Sequence, residues 1–245
     1  MTFFTQFARR GRRRPLTPAR RVRRRPTLEA LETRSLLSTL TVTNLGDTGV
    51  SGDGSLRGEI AAAANGDQIV FARSLDGQTI TLNGDNGPLV LNKDLTIRGP
   101  GAARLTISGN NATEVFSIDA GATDTITGLT IADGNADGIG GGGIDNEGTL
   151  TLDDSTLSDN HADEALLGGG GILNAGTMTI DHSAVFGNHA DGGEGGGIFN
   201  AGNLTLNFSV VFGNSALVGA DLDNDTADGG TVTLNHSLVG VRADG

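Results

Sequence analysis

Along the second half of the chain, polar and apolar residues alternate in short runs: Thr149-Leu150-Thr151-Leu152, Thr177-Met178-Thr179-Ile180, Leu204-Thr205-Leu206 and Thr231-Val232-Thr233-Leu234. A period of two built on β-branched and aliphatic residues suits strands that turn one face inward. Helical spacing is absent from these segments. A second short strand is predicted around Leu157, Val185, Val211 and Val239, and a third at the glycine-led Ile144, Ile172, Ile198 and Leu222. Each unit thus has three short strands separated by Gly, Asn and Asp.

The units recur along the chain. "GGGGIDNEGTLTLDDSTLSDN" at 140–160 is followed by "GGGGILNAGTMTIDHSAVFGN" at 168–188, "GGGIFNAGNLTLNFSVVFGN" at 195–214 and "GADLDNDTADGGTVTLNHSLVG" at 219–240. Asn146, Asn174, Asn200 and Asn224 share one position of the unit, and Asn135, Asn160, Asn188 and Asn214 another. A repeat of this length implies a solenoid, in which each coil buries its apolar face only by stacking on its neighbours. Parallel strands stacked coil on coil make an all-β fold, a right-handed parallel β-helix. Looser copies of the pattern, such as "QIVFA", "QTITLNG" and "RLTISGNN", extend it back to residue 69. At roughly 25 residues per coil there is room for about seven coils. The glycines are expected to supply positive φ and close backbone approach at turns. The asparagines are expected to form amide ladders.

Ahead of the repeats, Leu56, Ile60, Ala63 and Ala64 share one helical face, and Gly66 is placed to end the helix in a left-handed conformation. Ser55 to Gly66 is therefore read as a short amphipathic helix capping the first coil. Three regions follow: a basic targeting segment at 1–38, a lead-in segment with the N-terminal cap at 39–68, and the β-helix at 69–245. At the other end, no amphipathic helix follows "SLVGVRADG", so the last coil is expected to offer an open edge for end-to-end self-association.

Charge sharpens the division. Residues 1–34 hold 11 of the 17 Lys and Arg and 2 of the 29 acids, so the remainder carries 6 basic and 27 acidic residues. The Arg-rich, Pro-broken leader cannot bury a core and is expected to be disordered. No nucleic-acid-binding fold or aromatic platform accompanies its arginines, so nucleic acid is not expected as a partner. No apolar run of seven or more follows them, which argues against an ordinary secretory signal, and no transmembrane helix is predicted. The chain has no cysteine and needs no disulfide staples.

Two sets of residues invite chemical readings. After the alternating strands, Asp153 and Asp181 align with Asn207 and Asn235, and beside them run Asp154, His182, Phe208 and His236. Strand spacing would bring Asp154 and His182 to about 5 Å, within range of a charge-assisted hydrogen bond. His161 and His189 form a separate aligned pair. In "DLDNDTADGG", Asp221, Asp223, Asp225 and Asp228 lie close enough in sequence to offer oxygens to one hard cation, and calcium is the cofactor such a loop would suit. No Gly-Lys-Ser/Thr follows any glycine run, so a phosphate loop is not indicated.

Three resemblances to known families accompany these patterns. "LETRSLL", Leu31 to Leu37, resembles the LEPR-XLL motif found near the N-termini of large bacterial surface proteins, with Thr33 where the family has Pro; its implied role is sorting or export. The segment from Thr41 to Ala72, around Ser55-Leu56-Arg57, resembles the CSLREA-type segment that precedes β-helical repeats, with Gly54 in place of the Cys. The repeats themselves resemble the polymorphic-outer-membrane-type repeats of bacterial surface proteins. Together they imply a secreted or cell-surface location and a non-catalytic structural or adhesive module, with polysaccharide or cell-surface components as partners. The alternative is a polysaccharide lyase or glycoside hydrolase on the same scaffold, using Asp154 and His182 with Asp153 and Asp181. Beyond residue 104 the only Lys or Arg is Arg242, and lyase or polygalacturonase chemistry needs carboxylates together with such a cation.

Overall fold

A computed structural model describes residues 37–138, 140–163 and 168–240. The basic leader lies outside the described residues, as does the LEPR-XLL-like motif except for its last residue, the exposed Leu37. The rest is an all-β parallel solenoid of about seven turns. Its largest sheet, A, takes eight parallel strands in chain order: Thr39–Val42, Gln68–Phe71, Thr96–Arg98, Thr123–Thr127, Thr149–Asp153, Thr177–Asp181, Asn203–Asn207 and Thr231–Asn235. Sheet B has seven strands, from Gln78–Thr81 to Leu238–Val239, and sheet C six, from Leu89–Leu91 to Leu222–Asn224. Partner residues along sheet A are offset by one coil, as in Thr149 with Thr177 and Thr177 with Asn203.

The alternation of the sequence becomes columns inside the solenoid. Ile97, Ile126, Leu152, Ile180 and Leu206 stack in sheet A, Ile131, Leu157, Val185 and Val211 in sheet B, and Phe116, Ile144, Ile172 and Ile198 in sheet C, all with no exposed surface. Each such side chain contributes about 1.5–3 kcal/mol on leaving water. The predicted Ile144, Ile172, Ile198, Leu222 and Leu157, Val185, Val211, Val239 stacks are both present.

The middle coils hold a fourth strand that the three-strand pattern did not predict. Sheet D joins Asn135–Asp137, His161–Asp163 and His189–Ala190. Its inward residues, Ala136, Ala162 and Ala190, are small and buried, so a strand of three residues fits where the coil turns toward sheet C. The register pairs Asn135 with His161, so Asn135 does not belong to the column of Asn160, Asn188 and Asn214. Gly134 takes that place, its N–H donating to Asn160 Oδ1 at 2.9 Å.

Two glycine expectations divide in an instructive way. The runs before sheet C serve mainly close approach, with Gly195 (φ 67°) also supplying positive φ: a Cβ on Gly170 would collide with the carbonyls of Gly196 and His189. The positive-φ corners after sheet A belong instead to Asp154 (46°), His182 (45°), Phe208 (47°) and His236 (53°). Asp and His tolerate that region better than Phe does.

The helix runs over Leu56–Ala62, shorter than the sequence suggested. Ser55 caps its start, accepting from Gly58 N at 3.0 Å. Ala63, in extended conformation, ends it, while Gly66, at φ 85°, lies beyond in the turn that leads to Gln68–Phe71. Leu56, Ile60 and Ala63 join the continuous core; Ala64, expected on the same face, is exposed.

Candidate functional site

Three polar ladders line the corners of the solenoid. Asn146, Asn174, Asn200 and Asn224 pass Nδ2 to Oδ1 bonds of 2.6–2.7 Å from coil to coil. Asn160, Asn188 and Asn214 do the same at 2.9 Å, and the column ends on Asp221, whose Oδ1 accepts from both nitrogens of Asn214. The third, Ser155, Ser183, Ser209 and Ser237, was not read from the sequence: the hydroxyls of Ser183, Ser209 and Ser237 each accept the N–H of the serine one coil earlier, at 3.0–3.1 Å. Except at the last coil these groups are buried, and nearly all of their polar atoms are paired, so they hold backbone rather than ligand.

At the corner after sheet A the aligned Asp153 and Asp181 come together with His182, but Asp154 does not join them. His182 turns to its chain neighbour: Nδ1 lies 3.0 Å from Asp181 Oδ1, close for an ion pair yet not aligned as a hydrogen bond, so that oxygen keeps no hydrogen-bond donor. The His182 ring stacks on Phe208 at 5.2 Å, and Phe208 on His236 at 4.9 Å, with planes within 10°. Ring stacking orients His182 away from the expected Asp154 pairing and compensates the strained backbone at Phe208.

The calcium quartet is likewise spread out. Asp221 ends the asparagine ladder; Asp223 faces Glu194 and disfavours its ionisation; Asp225 Oδ1 accepts from Ala227 N at 2.8 Å in a turn; Asp228 is exposed. Burial raises the Glu194 carboxyl above the usual range, with Asp223 adding to the effect.

The strongest convergence of donors lies on the outer face of sheet D. His161 Nε2 stands 3.1 Å from Asp191 Oδ2 and 3.2 Å from Asp163 Oδ1. His189 Nε2 contacts the other Asp191 oxygen, and its Nδ1 contacts Ser215 Oγ. The hydrogen bond from His189 holds the Asp191 carboxyl below its ordinary range. Asn135 Nδ2 donates to Asp163 Oδ2 at 2.9 Å. A polar cleft of about 630 Å³ adjoins, lined by Asn111, Ala112, Asn135, Asp137, Asp163 and Asp191. The paired histidines were visible in the sequence; their aspartates were not singled out, although His-Ala-Asp occurs twice.

Three acids, one buried and two half-buried, have carboxyls pushed up by their surroundings. Asp124 occupies the inward column of Leu150, Met178 and Leu204, with 2% of its surface exposed, and burial pushes its carboxyl up to about 7. Glu114 and Asp145, beside each other and also raised by burial, reach about 7 and about 6. Such a pair is the kind of group acid–base chemistry uses. Here it is roofed by backbone, since a Cβ on Gly140 would collide with Glu114 Oε1.

The cations of the N-terminal end are fastened in place. Arg57 binds both oxygens of Asp47, at 2.6 and 3.1 Å, and the carbonyls of Gly87 and Pro88 at 2.7 Å. Lys93 Nζ closes the helix end through the carbonyls of Ile60 and Ala63, at 2.9 and 2.8 Å. Both line a cleft of about 360 Å³ beside the helix, Arg57 paired with a carboxylate and Lys93 held by carbonyls. Comparison with known proteins gives no match to any family model, curated protein or solved structure.

Proposed function

We propose that this chain is a non-catalytic, exported or cell-surface β-helix module with a structural or adhesive role, presenting its long, regular outer faces to polysaccharide or another surface component. The observation that supports it most is where the cations lie: Arg57 and Lys93 are engaged by backbone carbonyls, and among the described residues no Lys or Arg follows Arg104, so the acidic faces of the later coils lack the cation that lyase chemistry requires. Right-handed winding follows the rule for parallel crossover connections. The helix Leu56–Ala62 serves as the N-terminal cap: Leu56 and Ile60 enter the core, and Arg57 ties the preceding loop to the first coil. That arrangement gives each residue of the Ser-Leu-Arg core a physical task, in keeping with the CSLREA-like and outer-membrane-repeat resemblances, and the LEPR-XLL-like leader would supply targeting. No helix among the described residues is long and apolar enough to cross a membrane.

The enzyme alternative draws on the raised carboxyls of Glu114 and Asp145. Incubation of the full chain with a panel of acidic and neutral polysaccharides is expected to release no new reducing ends and no unsaturated products. Cleavage that disappears in Glu114→Gln would replace the structural reading with the catalytic one.

The partner at the C-terminal coil is a second copy of this chain. Leu234 and Leu238 are 49% and 64% exposed, and Thr233-Leu234 fall in the same sheet A columns as Thr39-Leu40 of the opposite edge. A copy stacked end to end would continue the threonine–aliphatic columns across the junction. Sedimentation is expected to show concentration-dependent association that Leu234→Lys abolishes. A monomer at every concentration would dismiss the idea.

A further inference from the structure

We propose that His161, His189 and Asp191 bind one divalent transition-metal ion on the outer face of sheet D. His-Ala-Asp lies on a strand, where residues two apart point to the same side, so each copy offers an imidazole and a carboxylate outward while its alanine turns in. The repeat then stacks one copy on the next, His161 paired with His189. Four donors from two coils therefore meet at one place on an otherwise smooth face.

The observed geometry suits an ion of zinc's size. The ligating atoms of His161, His189 and Asp191 all lie within 4.8 Å of one another. Asp191 stands between the two rings, one oxygen toward each Nε2. The rings are 5.1 Å apart and tilted by 56°, unlike the flat stack of His182 on Phe208, and the tilt lets both Nε2 atoms aim at a common point. Bonds of about 2.0–2.1 Å to a tetrahedral ion need donors separated by about 3.3 Å, so a pair as wide as 4.8 Å closes by about 1.5 Å while each imidazole eases slightly away from the Asp191 oxygen it touches, shifts open to partly exposed side chains.

Outer contacts of the kind that orient metal ligands are present too. Ser215 Oγ holds His189 Nδ1, which fixes the ring with Nε2 outward. Asn135 holds Asp163, whose Oδ1 stands 3.2 Å from His161 Nε2 and is placed to become a fourth ligand or an outer partner. If Asp163 stays outside, the remaining position faces the cleft with Asn111 and Asp137 and would take water or a ligand oxygen. Two imidazoles with one carboxylate select zinc, copper or nickel over calcium and magnesium. The other donor group, Asp153 with Asp181 and His182, has a single imidazole held in a ring stack and lacks that preference.

Equilibrium dialysis of the full chain against zinc, with cobalt absorption as a spectroscopic reporter, tests the site. One equivalent of zinc is expected. His161→Ala and His189→Ala should each weaken binding roughly tenfold or more, and Asp191→Asn should do the same. His182→Ala and His236→Ala should leave it unchanged, and calcium in about a hundredfold excess should not compete. Circular dichroism of each variant separates ligand loss from unfolding. Absence of stoichiometric zinc, or binding that survives both sheet D histidine replacements, would overturn the assignment; loss with His182→Ala alone would overturn it in favour of the other corner.

Discussion

The melting temperature is expected to fall as the pH is raised from about 4 to about 7, and Asp124→Asn is expected to remove much of that fall. Asp124 stands in a column of aliphatic side chains, where its Oδ1 accepts from Leu95 N at 2.8 Å and its Oδ2 has no partner. Burial is the main cause of its raised carboxyl, about 7 against an unfolded value of 3.8, with Asp94 adding repulsion against the opposing Leu95 bond. A raised folded pKa means that the folded chain keeps a proton the unfolded chain has already released. Between the two values the folded state binds more protons, so stability declines with rising pH. Below about 4 both states are protonated and the penalty vanishes; above about 7 it is complete, on the order of 4 kcal/mol for this one group.

Glu114 and Asp145, raised in the same direction, add to the slope. The asparagine replacement keeps the acceptor for Leu95 and removes the buried charge, so its gain should appear at about pH 8 and be small at about pH 4. Thermal melts of both proteins across that range check this. A wild-type curve that rises steadily through neutral pH would sink it, as would an Asp124→Asn protein with an unchanged slope.

Asp124 also shows where sequence reading stopped. The alternation of Thr with aliphatic residues was enough to fix strands, columns and coil number, because a period of two leaves no choice about which residues face in. The same rule hid the aspartate: in "DTIT" a polar residue at an inward position reads as a fault in the pattern rather than as a buried charge. Asn135 was misaligned for a related reason. Spacing alone cannot distinguish it from Asn160's column, since coils differ in length, and only the strand pairing with His161 decides. Sheet D escaped because three residues of Asn-Ala-Asp or His-Ala-Asp are too short and too polar to register as a strand. Its donor cluster depends on that strand, so the candidate site escaped with it. The Asp154–His182 pairing failed at the side-chain level: the positions align, but ring stacking on Phe208 decides where His182 points.

The largest single loss of stability is expected from Asn188→Ala, about 3–5 kcal/mol, read as a lower urea midpoint. Asn188 has no exposed surface and binds in both directions along its ladder. Its Oδ1 accepts from Asn160 N and Nδ2, at 3.0 and 2.9 Å. Its Nδ2 donates to Phe186 O at 3.1 Å, Leu157 O at 3.3 Å and Asn214 Oδ1 at 2.9 Å. Alanine removes all of these and leaves the Asn160 N–H and the Leu157 carbonyl stranded away from water, which costs more than the bonds themselves contribute. Aspartate is a sharper probe. At the end of the ladder Asp221 succeeds because it is partly exposed and only has to accept, from Asn214. Inside the ladder the same carboxylate would meet Asn214 Oδ1 and two carbonyls with no proton to offer. Asn188→Asp should therefore destabilise the fold about as much as alanine at neutral pH and less in mild acid, where its carboxyl can protonate and donate. An alanine variant within about 1 kcal/mol of the parent would mean that the ladder records the stacking of the coils without holding it.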